Sequence, residues 1–155
     1  VAYDPVADAY VVVFNHTEGT GTFSPTTIHG QRVRSQYSSS TFRYDSGYAF
    51  GIERSTAWNG HYYPDITYSG VGNEMQVVYM SWYAPDEQYW YVYDRTLHGT
   101  DVDGRLLVRY SGDGDGLEDP AVAGSHNGRC LVVWREEDTP SDWDIFGQRV
   151  SPYWV

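Results

Sequence analysis

The chain has 155 residues, enough for one ordinary domain, and its 21 acidic residues outnumber 10 basic ones, all Arg, for a formal charge of −11. Such a surface repels phosphate backbones and anionic membranes, which excludes nucleic acid as a natural partner. No apolar run approaches the roughly 18 residues of a membrane-spanning helix, and a single Cys excludes an internal disulfide framework.

Strand signals then follow one another along the chain, with almost no helical periodicity between them. "VAY" at Val1 leads into "AYVVVF" (Ala9 to Phe14), then "TIHGQRV" (Thr27 to Val33), a polar insertion around Ser35 to Gly47, and "YAFGIERS" (Tyr48 to Ser55). The order recurs as "PDITY" at Pro64, "MQVVYM" (Met75 to Met80), "YVYDRTL" (Tyr91 to Leu97) and "GRLLVRYS" (Gly104 to Ser111). It recurs again as "DPAVAG" at Asp119, "CLVVWR" (Cys130 to Arg135) and "DIFGQRV" (Asp144 to Val150). The valine-rich runs are β-branched, aromatic and not cleanly alternating, which predicts strands buried on both faces. "HNG" at His126 to Gly128 predicts a hairpin with a type I′ turn over Asn127 and Gly128.

Aligned on Phe14, Tyr79 and Trp134, the units are spaced by 65 and 55 residues. Ile28, Val92 and Ile145 then fall in matching places, and Asp94, Arg95, Thr96 and Leu97 stand where the outer copies have Gly-Gln-Arg-Val. Four antiparallel strands per unit of about 50 residues is the pattern of a propeller blade. The expected fold is therefore all-β, with about three β-propeller-type four-stranded antiparallel blades in a single repeat domain spanning 1–155. The blades cover about 1–57, 62–111 and 119–155, the last lacking its fourth strand.

The stretch Asp119 to Pro152 closely resembles a repeat of secreted bacterial and archaeal proteins that runs Pro-x-Val-Ala, Leu-Val-Val-Trp, Asp-Ile-x-Gly-Gln-Arg-Val. The resemblance implies a propeller fold and an extracellular or cell-surface location, and it brings no catalytic residues. Tyr, Trp and Gly enrichment leans the same way, and the opening at Val1 reads as a processed chain or an excised fragment. Three blades would leave two apolar faces open, so self-association or the remainder of a longer chain is expected to complete the ring.

Trp58, Tyr62, Tyr63, Trp82, Tyr83 and Trp90 lie in or beside loop-like segments, where flat aromatic faces suit sugars or partner side chains. They are the candidate ligand-binding residues. "SGDGDGLED" offers Asp113, Asp115, Glu118 and Asp119 as oxygen donors for a possible Ca²⁺, against the plainer reading of a solvated acidic turn. The five His show no metal-ligand spacing, and Cys130 reads as a buried structural thiol. Asp4, Asp65 and Asp119 sit near first strands, where turn capping outweighs a glycosidase role. "NHT" at Asn15 fits an N-glycosylation acceptor. No catalytic residue is assigned. The expected function is non-catalytic recognition or scaffolding of glycan or protein; a structural subunit assembling through an open blade edge and a portion of a secreted hydrolase are the alternatives.

Overall fold

The apolar run around Val77 and Val78 forms a ten-residue strand, Glu74–Tyr83, whose first eight side chains are all buried. It lies at the centre of a computed structural model that describes residues 1–17, 25–35, 42–44, 49–55, 59–83, 89–112, 116–139 and 142–151. Every regular element among them is a strand: β1 (Ala2–Asp4), β2 (Ala9–Thr17), β3 (Thr26–Ser35), β4 (Phe42–Tyr44), β5 (Phe50–Glu53), β6 (Asn59–Tyr68), β7 (Glu74–Tyr83), β8 (Tyr89–His98), β9 (Asp101–Ser111), β10 (Leu117–Gly124), β11 (Cys130–Thr139) and β12 (Asp142–Val150). The protein is all-β, and among the described residues neither of the two sheets closes on itself. No helix among the described residues is long and apolar enough to cross a membrane.

One sheet runs β1-β2-β3-β6-β7-β8-β9, with β4 and β5 both paired to β3; the other is β10-β11-β12. The joint between β3 and β6 is a single parallel bridge, Thr26 to Gly60, and all other pairings are antiparallel. The strands therefore fall into three antiparallel sets, β1 to β5, β6 to β9 and β10 to β12.

The ladders put the sets in one register. Phe14 faces His29, Tyr79 faces Tyr93, and Trp134 faces Phe146. Each pair also brings its rings together, with centroids 6.0, 5.9 and 6.4 Å apart. Asp8, Asn73 and Gly128 hold the same place in the three β1–β2, β6–β7 and β10–β11 hairpins, and all have positive φ. At the third hairpin the expected turn is corrected. Only Gly128 is left-handed; its N–H donates to the Ser125 carbonyl at 3.2 Å and the Ser125 N–H to the Arg129 carbonyl at 2.8 Å, so the loop has three residues, 126–128, instead of two.

Burial on both faces, expected for all three valine-rich strands, holds for β7 alone. Val77 and Tyr79 pack toward the first set with Val11, Ile28 and Ile52. Val78 packs toward the third with Val92, Val108, Val122, Val132 and Trp134. β2 and β11 each have one covered face, because among the described residues only the middle set has a neighbouring set on both sides.

Candidate functional site

Four of the six residues nominated as ligand contacts come together at one end of the contact between the middle and third sets. Tyr62, Tyr63, Trp82 and Trp90 line a single cleft of about 320 Å³ with Met80 and Glu118. Trp82 and Trp90 are direct cross-strand partners on β7 and β8, with ring centroids 6.1 Å apart. The alternation of a strand explains why they share a face with Met80. Trp90 also packs on the core between the two sets, which anchors it, while Trp82 is half-buried.

Tyr63 reaches the cleft through a backbone irregularity. Its φ is +51° directly before Pro64, and the β6–β7 register slips between Tyr62 and Asp65. Asp119 before Pro120 repeats the same φ of +51° and the same slip between Glu118 and Ala121. A bulge of this kind turns the side chain out of the regular pleat, and it leaves Tyr63 exposed. Tyr83 lies one residue beyond Trp82, is exposed, and is absent from the cleft wall. Trp58 lies outside the described residues.

Of the acidic candidates, Glu118 forms an ion pair with Arg135, and Asp119 meets the Arg135 Nε at 3.2 Å. The guanidinium in turn lies 4.7 Å from the Trp143 ring. Asp113 and Asp115 lie outside the described residues. Among the described residues no three His, Cys, Asp or Glu side chains gather as a metal group. Asp4 accepts from the Val6 and Ala7 N–H groups at 3.0 Å, and Asp65 accepts from the Val122 N–H at 2.9 Å. Asp4, Asp65 and Asp119 thus serve turn, strand contact and ion pair respectively.

Sequence reasoning missed three buried polar groups. Glu53 on β5 accepts from Tyr79 Oη at 2.5 Å and from Arg95 Nε and Nη2 at 2.8 and 2.7 Å. Burial would raise its pKa, but these donors and the guanidinium charge outweigh burial and hold it below the usual range. His61 is buried edge-on against Tyr79, and burial pushes its pKa down despite the nearby Glu53 charge and the Arg54 backbone.

Asp94, 5% exposed, is the third, and burial raises its carboxyl to about 7 against a lowering contact from the Arg95 backbone. With the Gln76 amide nitrogen turned toward it, Gln76 donates to both Asp94 oxygens at 2.9 Å and accepts from Thr96 at 3.0 Å. Asp94 borders a second cleft of about 370 Å³, at the opposite end of the same contact, with Glu74, His98, Asp103 and Arg105. A weak clue existed, since Asp94 stands where Gly30 and Gly147 stand in the outer copies.

Compared with protein-family models, curated proteins and solved structures, the chain matches none. The fold and the clefts define an all-β protein of three strand sets in one register, with an aromatic cleft between the second and third.

Proposed function

We propose that this protein is a non-catalytic recognition module, secreted or at a cell surface, whose ligand is a neutral glycan held in the aromatic cleft. Its strand sets are read as propeller-type blades, a reading supported by the shared register of the aromatic pairs. The observation that carries the ligand reading is the convergence of Tyr62, Tyr63, Trp82 and Trp90 on one cleft that also holds the Glu118 carboxylate. Aromatic faces cover the apolar faces of sugar rings, and one polar group fixes orientation. The charge of −11 disfavours acidic sugars, so the ligand class is neutral. An aromatic or aliphatic protein side chain is the other occupant that the same surface suits.

The test is a titration of tryptophan fluorescence with a panel of neutral hexasaccharides. Saturable change with at least one of them, abolished in Trp82→Ala, is the expected result. No response to any member, or a response that Trp82→Ala leaves intact, would reject the glycan reading. A Trp82→Ala variant that still unfolds like the parent separates loss of binding from loss of fold.

A further inference from the structure

Two contacts between strand sets are already formed in this chain, and they use the same positions. In the first, Val13 and Ile28 of the first set face Val77 and Tyr79 of the second. In the second, Val78 and Val92 of the middle set face Val132 and Trp134 of the third. The register makes Ile28, Val92 and Ile145 equivalent, since each stands one step before the aromatic that faces Phe14, Tyr79 or Trp134. Ile28 and Val92 are 0% exposed, whereas Ile145 is 83% exposed. Leu131, on the same face in β11 and opposite Arg149, is 47% exposed, although its equivalents Val11 and Gln76 are fully buried.

The opposite end of the stack has the matching deficit. Met75 and Cys130 are buried by the preceding set, while their equivalent Tyr10 is 43% exposed. One end therefore presents the giving face of the repeated contact, and the other presents the receiving face. The two faces are different surfaces that are complementary, as in a head-to-tail association.

We propose that the outer face of β10–β12, centred on Ile145 and Leu131, docks the outer face of β1–β3, centred on Tyr10, of a second copy of this chain. The contact continues the two internal ones at the same positions. It differs in two respects. Among the described residues the third set has no counterpart of β5 and β9, which bring Ile52 and Val108 to the internal contacts. Two edge hydrogen bonds are also absent. In the internal contact Asp65 and Thr67 accept from the Val122 and Gly124 N–H groups, whereas Ala121 and Ala123 stand in their places on the open face. The new contact rests on apolar burial, so it strengthens when salt screens the repulsion between two acidic chains.

The experiment is light scattering over a range of concentrations on the parent, Ile145→Glu and Tyr10→Glu, with circular dichroism to check that each is folded. The parent is expected to form species larger than one chain, more so at higher salt, and each variant alone is expected to be monomeric. Mixing the two variants is the decisive step. Each retains the face the other has lost, so together they form a one-to-one pair that grows no further. A folded parent that stays monomeric at every concentration overturns the proposal. So does a mixture that stays monomeric, or a Tyr10→Glu chain that still pairs through its Ile145 face, which would mean a symmetric contact.

Discussion

Glu53 and Arg109 occupy the same ladder position in successive strand sets and carry opposite charges. Glu53 faces Ile28 on β5, Arg109 faces Val92 on β9, and the register slips at the next step in both ladders. Each reaches across to the following set. Glu53 meets Tyr79 and Arg95, while Arg109 meets Glu136, which also accepts from Trp134 Nε1 at 3.1 Å. The same latch over an equivalent aromatic residue is thus built twice with its polarity reversed, so neither contact can be exchanged for the other without placing like charges together.

The two latches should differ in strength. Glu53 and Arg95 are both largely buried, whereas nearly half of the Arg109 side chain is exposed. Replacing Glu53 by Gln leaves Arg95 short of its counter-charge and is expected to cost about 2–3 kcal/mol at neutral pH. Replacing Arg109 by Met should cost less, about 1–2 kcal/mol, because water partly screens its guanidinium although Glu136 itself is buried. Urea unfolding of the two variants checks the order, and equal losses would contradict it. Since the Glu53 pKa is depressed in the folded state, its contribution is present above the ordinary carboxyl range and lost as pH falls through it. The penalty of Glu53→Gln should therefore fade in acid.

Asp94 gives a pH dependence of the opposite sign. Burial raises its folded-state pKa to about 7, above the ordinary value near 4 and against the Gln76 amide that donates to its ionised form, so the folded protein holds a proton that the unfolded chain releases. That contribution is complete below about pH 4 and is lost as pH rises toward 7. Asp94→Asn should match the parent in acid and exceed it at pH 8 by an amount on the order of 2–4 kcal/mol. Urea unfolding at both pH values measures this, and a variant equally weakened at both would refute it. His61, whose pKa burial lowers, works the other way, its contribution being present above about 6.5 and lost below.

Gly124 lies close against β6. A Cβ built there would lie 2.2 Å from the Tyr68 carbonyl oxygen, a backbone atom that no rotamer can move. Gly124→Ala is expected to destabilise by about 1–3 kcal/mol. The Gly124 N–H also donates to Thr67 Oγ1 at 2.9 Å, so the strain would fall on that bond. Thermal unfolding of this single variant, unchanged from the parent, would show that the strands can part without cost.

Cys130 should be inert while the protein is folded. It is buried in the core between the second and third sets, and burial, with the Asp94 charge beside it, pushes its pKa up to about 11. A chromogenic disulfide reagent at pH 8 should label it only at the rate of unfolding, and fully in denaturant. Rapid labelling of the native protein would mean that this core opens.

Much of the fold was legible because strand period and repeat register are local properties. The runs at Val11, Val77 and Val132 announced strands, and Ile28, Val92 and Ile145 announced the register that the ladders display. The turn at Asn127 was misjudged because Asn-Gly suits two turn types, and the one adopted depends on how Ser125 meets Arg129 across the hairpin. The aromatic cleft was half legible. Trp82 and Trp90 could be nominated from their loop-side places, but Met80 and Glu118 join them only through stacking of separate sets.

The amino-acid sequence by itself determined which segments are strands and where the repeat falls, since both follow from side-chain period. Only the tertiary structure decided that β7 is buried on both faces, that Glu53 reaches Arg95, and that Asp94 is buried against Gln76. Those outcomes depend on which face of one sheet meets which face of the next. Side-chain alternation fixes two faces for every strand, but it carries no information about what lies across the gap.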